Sequence, residues 1–411
     1  MSFIERRDVS RPATGEAPFR AHETFFSHTN DRGLIQSGNF IFQRVAGYDW
    51  DELLGAPHKI IRHPDMPKAV FWLFWDTLKK GQPIGAYIKN KAKDGLHYWV
   101  YAVAMPYRDG FLSVRIKPCG DCLDKIKEQY RILRSAEQED GIKPAESAAA
   151  LLQWIRDQGY ANYAAFASNT LAAELAARDK LLKQPADDSI LQFREMIRAA
   201  ESLLQETVAL STGFDAISTI PTNMRIIASR LEPSGGAITA LSQNYWSMSE
   251  EMSNWFKNFV DNSGSDFAAL GSTLEDCRFL TCTARILTEA ANQFSRERRA
   301  LGSIDIEREK RQISDQAGAY AKKSAKGLGK IIEEAQRVSG AITIMRRYAL
   351  GLSSTRVMCN IESARLPTGG ETLANIIDQL GDFQVSIDQQ LNRIDDLSRE
   401  IQSRATFLET A

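Results

Sequence analysis

Pro57-His58-Lys59-Ile60-Ile61-Arg62-His63-Pro64-Asp65-Met66-Pro67 gathers three prolines, two histidines, an arginine and an aspartate into eleven residues. Proline fixes its own φ and narrows the choices of the residue before it, so the polar side chains here are held in few orientations. Arg62 supplies a permanently charged, planar fork of donors suited to an anion, and His63 beside it supplies a directional hydrogen bond. Such a stretch reads as the lip of a ligand pocket. All five histidines (His22, His28, His58, His63 and His97) lie in the first 97 residues, which locates the polar-aromatic chemistry in the N-terminal part. No glycine-rich phosphate loop, metalloprotease motif or nucleophile elbow accompanies it, so the site is one for binding, with no catalytic and no metal-ligating residue assigned.

At 411 residues the chain is long enough for two or more cores. Its net charge of −1 hides a division: residues 1–120 carry 17 Lys+Arg against 12 Asp+Glu, the remainder 34 against 40. An excess of five positive charges on a mixed surface is too weak to imply nucleic acid. No apolar run reaches the length of a membrane span. The first residues, Met1-Ser2-Phe3-Ile4-Glu5-Arg6-Arg7-Asp8, lack the apolar centre of a signal peptide. Five cysteines, an odd number, do not make a disulfide framework, and the expected address is the reducing cytoplasm. Cys119-Gly120-Asp121-Cys122 has redox or metal spacing, but further ligands are not close in sequence, and two linker cysteines are the simpler reading.

The elements that must position the lip follow from alternation and turn residues. Thr24–Thr29 and Leu34–Ser37 read as short strands around the turn Asn30-Asp31-Arg32-Gly33, after a polar arm. Short helices are expected at Phe40–Ala46 and Asp49–Leu54, the second with Asp49 as N-cap and Gly55 as stop. Met66, Val70, Phe74 and Leu78 fall four apart, widened by Phe71 and Trp75, and predict an amphipathic helix with Trp72 on its far side. Three antiparallel strands then run Ile84–Lys91, Leu96–Tyr107 and Phe111–Lys117, turning at Asp94-Gly95 and Asp109-Gly110.

In this order, and in the runs Pro57–Ala69, Trp75–Gly81, Lys89-Asn90 and His97-Tyr98-Trp99-Val100, the region from about Thr24 to Lys117 resembles the PAS domain of bacterial aerotaxis receptors. The resemblance implies an α+β fold with a five-stranded antiparallel sheet and short helices. It also implies a pocket for a redox cofactor, flavin adenine dinucleotide (FAD) in the best-known members and haem in some relatives. The cofactor-binding set it implies here is Asn39, Arg62, His63, Trp75 and Trp99. Arg62 would face an anionic flavin or a pyrophosphate, Asn39 and His63 would give hydrogen bonds, and the tryptophans a flat wall. Asp65 would pin Arg62 or cap the following helix. Where flavin-binding members carry Pro-Trp, this chain has Pro83-Ile84 and lacks that aromatic wall. Haem, with His63 or His97 as iron ligand, and a ligand-free domain used for dimerisation are the alternatives.

After Asp121 the chain is helix-rich. Seven-residue patterns run Leu210, Phe214, Ile217, Pro221, Met224, Ala228, Leu231 and, beyond Glu232–Gly236, Ile238, Leu241, Tyr245, Met248, Met252, Trp255, Phe259. They predict an antiparallel hairpin, kinked at Pro221. Further seams pass through Thr273–Phe294, Ile331–Leu352 and Leu373–Ile401, the last with Gln390 as its buried polar residue, and Arg296–Arg299 reads as a solvated face. Ile217–Glu232 faintly resembles the ascending arm of a methyl-accepting chemotaxis receptor's signalling hairpin, but Pro233-Ser234-Gly235-Gly236 replaces that family's kinase-engaging tip.

The expected organisation is an arm (1–23), a PAS sensory domain (24–118), a linker helix (119–144), a helical connector (145–185) and an all-α long-helix, coiled-coil bundle (186–411) with a turn at 232–236. The expected function is that of a soluble cytoplasmic sensory protein, a homodimer and not an enzyme. It would sense redox state or oxygen through a cofactor and signal to a chemotaxis-type or other partner by a bistable packing at Asp121–Ser135. A non-catalytic dimerisation scaffold is the alternative.

Overall fold

The computed structural model describes residues 10–217, 219–229, 236–260, 266–295, 304–365 and 370–410. Two compact units emerge: Met1–Leu191 with Glu275–Ser324, and Gln192–Leu274 with Ala325–Ala411.

In the first unit the alternating runs become β1 (Thr24–Asn30), β2 (Ile35–Gly38), β3 (Ile84–Lys91), β4 (His97–Tyr107) and β5 (Gly110–Ile116). They form one antiparallel sheet in the order β2-β1-β5-β4-β3. The crossover from β2 to β3 carries α1 (Phe40–Ala46), α2 (Trp50–Leu53), a 3-10 turn at His58–Ile61 and α3 (Lys68–Lys79). Asp49 caps α2 as expected, and the Glu52 carboxylate returns to accept its backbone N–H at 3.0 Å. The β4–β5 turn uses its residues differently from the Asp-Gly expectation. Arg108, not the glycine, adopts positive φ (49°). Gly110 serves close approach instead, because a Cβ there would stand 2.0 Å from the Thr29 carbonyl oxygen.

Both faces of the sheet are buried, which an α+β half-barrel alone would not achieve. The inner face packs on the crossover helices, as where Phe25 stacks on Phe42 at 5.9 Å. The outer face meets α6 (Tyr163–Leu181) and chain from far downstream. Tyr101 Oη donates to Ala167 O at 2.8 Å, and Tyr163 Oη to Gly85 O at 2.9 Å. Phe26 meets Phe294 edge-on at 5.0 Å, near the end of α10 (Asp266–Phe294). His28 and Ser37 both meet Glu309, in the first turn of α11 (Ile306–Ala364). In chain order, α4 (Cys122–Glu139) and α5 (Pro144–Asp157) come between the sheet and α6.

The second unit is built of long helices: α7 (Asp188–Ile217), α8 (Thr219–Ser229), α9 (Gly236–Val260), the rest of α11, and α12 (Gly370–Thr410). Pro221 sits in the first turn of α8, where its missing N–H is tolerated. The turn at 232–235, the run Arg296–Arg299 and the junction at residue 218 lie outside the described residues. Two seams need correcting by one position. In α9 the buried partners of Ile238, Tyr245 and Met252 are Ser242 and Ser249, with Leu241 and Met248 half-buried beside them. In α12 the buried set runs Ile377, Gln384, Leu391, Ser398, so Gln384 and not Gln390 is the buried glutamine. Small side chains draw the arms together, which a size-led reading of heptads passes over: Ser242 Oγ donates to Pro221 O, and Ser398 Oγ to Ala335 O at 2.7 Å.

Candidate functional site

A cavity of about 260 Å³ lies between the inner sheet face, α3 and the turn at 57–62. Its apolar wall comes from the amphipathic helix: Phe71, Phe74, Trp75 and Leu78, closed by Phe111, Ile88 and Ala104. Trp75 meets Phe111 edge-on at 5.2 Å. Facing this wall are Arg32, His58, Lys59, Arg62 and Arg115, and among the described residues no carboxylate lines the cavity with them.

Arg115 is the centre of that charge. It points inward from β5 and is 3% exposed. Its guanidinium donates to Ser27 Oγ at 3.0 Å, to Ser113 O at 3.2 Å, and to His58 Nε2 at 2.7 Å. Because a guanidinium only donates, His58 Nε2 accepts and the ring is the neutral Nδ1–H form. Burial first, then Arg115 and Arg62, hold the His58 pKa well below its ordinary value. Burial pulls Arg115 itself down to about 10. The rings of Phe25 and Phe42, 5.5 and 5.8 Å from its Cζ, give partial compensation. Asn90, also on the wall, is 3% exposed and its Nδ2 has no hydrogen-bond partner.

Of the five residues singled out by resemblance, Arg62 and Trp75 line this cavity. Arg62 lies at the mouth with its Cζ 3.5 Å over the Phe71 ring. His63 turns the other way, its ring 6.1 Å from that of His97 and its Nδ1 accepting from Asp65 N at 3.2 Å. Asn39 is fully buried as the N-cap of α1, its Oδ1 accepting from Phe42 N and Phe26 N and its Nδ2 donating to Thr24 O. Trp99 is on the outer face, 6.3 Å from Tyr130 of α4. Asp65 neither pins Arg62 nor caps α3: it pairs with Lys89 at 2.6 Å. The α3 cap comes from α4, where buried Glu137 accepts from Lys68 N at 2.8 Å and Ala69 N at 3.0 Å. Neither His58 in the Pro57–Pro67 lip nor Asn90 in its strand had a role assigned from sequence. Arg115 carried only the faint signal of a charge alternating with apolar neighbours Val114 and Ile116.

Cys119 and Cys122 are free, half-buried thiols, both pushed up by burial. The linker they occupy is held by Glu174 of α6, which accepts from Cys119 N at 2.5 Å and Gly120 N at 2.9 Å.

The sheet order, the crossover helices and the cavity between them define a PAS domain, and residues 39–112 match the model of the PAS fold. Over 130 residues, 30% of this chain, the protein is 38% identical to the aerotaxis receptor of Escherichia coli strain K12. Over 79 residues, 19% of the chain, it is 30% identical to the biofilm dispersion protein BdlA of Pseudomonas aeruginosa. The matched stretches span 26% and 19% of those relatives' own lengths.

Proposed function

We propose that this is a sensory signal-transduction protein whose PAS cavity holds an anionic redox cofactor, FAD being the chemistry it fits best. The observation that carries the reading is buried Arg115 in a cavity with Arg32, Lys59, Arg62 and a neutral His58 and, among the described residues, no carboxylate. A buried, unpaired cation costs several kcal/mol, and an anion in the cavity would offset it. Asn90 Nδ2 is a spare donor for a carbonyl edge, and Phe71, Trp75 and Phe111 provide a planar wall. A volume of about 260 Å³ suits a three-ring flavin head and leaves the rest of a dinucleotide at the mouth, beside Arg62 and Lys59. Haem is less well served. His63 and His97 do not line the cavity, and His58 Nε2 is engaged by Arg115.

A bound flavin supplies reversible electron transfer with a change of charge. Arg115, His58 and Ser27, one hydrogen-bonded chain anchored on β1 and β5, would hold the bound group and stabilise its negative charge. The two relatives are a receptor for aerotaxis and a protein of biofilm dispersion, and a redox or oxygen signal passed to a chemotaxis-type partner is the output we infer. The reading extends to a soluble, cytoplasmic, non-catalytic protein. The test is the visible spectrum of purified protein, before and after reconstitution with FAD and with haem. Flavin absorbance lost in Arg115→Met is expected. Protein that stays colourless, with a melting temperature unmoved by FAD, would overturn it and favour the scaffold reading.

A further inference from the structure

The second unit repeats itself. Arg225-Ile226-Ile227-Ala228-Ser229 and Arg356-Val357-Met358-Cys359-Asn360 stand at an offset of 131 and match in kind at every position. Shortly after, Arg230-Leu231-Glu232-Pro233-Ser234-Gly235-Gly236 is mirrored by Arg365-Leu366-Pro367-Thr368-Gly369-Gly370. The last glycine of each run opens a helix, Gly236 that of α9 and Gly370 that of α12.

The burial pattern repeats as well. Phe214, Pro221 and Met224 are buried in the first ascending arm, and Met345, Leu352 and Thr355, each 131 later, in the second. In the descending arms Ile238, Ser242, Tyr245, Ser249 and Met252 correspond to Leu373, Ile377, Leu380, Gln384 and Ile387 at an offset of 135. Any heptad helix has such spacing, but not a shared Arg-Leu, proline and Gly-Gly leading into the next helix; the offset moves from 131 to 135 ahead of this run and to 134 at its end.

Contacts between the two hairpins are similar in kind. Met248 and Phe383 hold equivalent positions, 135 apart, and each rests on a glycine of the opposite hairpin. A Cβ at Gly213 would meet Phe383 at 3.4 Å, and one at Gly351 would meet the Met248 sulfur at 2.8 Å. The two glycines stand 138 apart, one heptad beyond the 131 of their arms, so the likeness is a large side chain on a glycine and not one residue pair used twice.

We propose that the second unit is a tandem duplicate of one helical hairpin, folded as a bundle of two hairpins within a single chain, so that its core needs no second copy of the protein. Covalent linkage holds the halves at an effective concentration in the millimolar range, far above any second chain. The expected homodimer is not needed for this bundle, whose two hairpins pack in cis.

Glu206 and Arg393, on opposite hairpins, pair at 2.9 Å near the surface and give the test. Full-length Glu206→Cys/Arg393→Cys is treated with a short bis-maleimide beside an equimolar mixture of the two single variants. Wild type reports the native thiols, and peptide mapping locates the link. The expected result is a 206–393 link at the single-chain mass of 46.0 kDa in the double variant and none in the mixture. A link between chains in the mixture overturns the proposal, as does a double variant without the link. Sedimentation of the untreated protein at low micromolar concentration reads the same question without substitution: mass governed by one chain supports the proposal, and a dimer lost in Phe383→Glu opposes it.

Discussion

Arg115 and His58 divide one positive charge between a permanent cation and a ring kept neutral to receive it. Removing the cation should therefore act oppositely on folding and on binding. Arg115→Met is expected to leave the ligand-free protein as stable as wild type or more so, by on the order of 1 kcal/mol, while abolishing FAD binding; thermal melts with and without FAD check both. His58 has a folded-state pKa below its unfolded value, so the unfolded chain takes up the proton first as pH falls. Stability is thus intact above about pH 6.5 and falls below it, by about 1.4 kcal/mol per pH unit until the folded ring also titrates. Urea midpoints between pH 7.5 and 5 should show this slope, and His58→Gln, whose amide oxygen still accepts from Arg115, should flatten it. Arg62 was legible in the sequence because prolines frame it. Arg115 was not, because a lone arginine in a strand looks the same whether it faces solvent or the core, and only the closed sheet decides.

At the scale of elements, the pocket wall α3 is held by a carboxylate from a helix that begins more than forty residues after it ends. Glu137 satisfies two N-terminal amides of α3 and also receives the Ser147 hydroxyl of α5 at 2.9 Å. Glu137→Ala leaves buried donors unmet and is expected to cost about 2–4 kcal/mol, with Glu137→Gln costing less; denaturant unfolding measures it. Gly110→Ala is expected to be worse tolerated than Gly95→Ala, since the first meets backbone at 2.0 Å and the second meets nothing within 4 Å. Strand and helix limits were readable from alternation and turn residues, down to α1 and the β4–β5 hairpin. Capping by Glu137 was not, because nothing in sequence links position 137 to position 68. The same limit explains the serine seams of α9 and α12. A heptad shows which side of a helix is apolar, but whether a serine or its larger neighbour lies in the middle depends on how closely the arms approach.

Across the molecule, the sheet's outer face is completed by chain that comes late. Phe26, Gly85 and His28 find their cover in Phe294, Phe279 and Glu309. A chain truncated after Leu191 should keep the secondary structure of the sheet yet bind a hydrophobic dye and precipitate, as circular dichroism and light scattering would show; full solubility of that fragment would contradict this account. No periodicity in the sequence announces that residues 275–324 belong with the N-terminal unit.

That discontinuity also sets a clock. The ribosome delivers Leu191 well before Ser324, and at about 5–20 residues per second the interval is on the order of ten seconds. Throughout it the nascent sheet stands with one apolar face open. Nascent chains stalled just after residue 191 should therefore be caught by holdase chaperones, and those stalled well beyond 324 released from them.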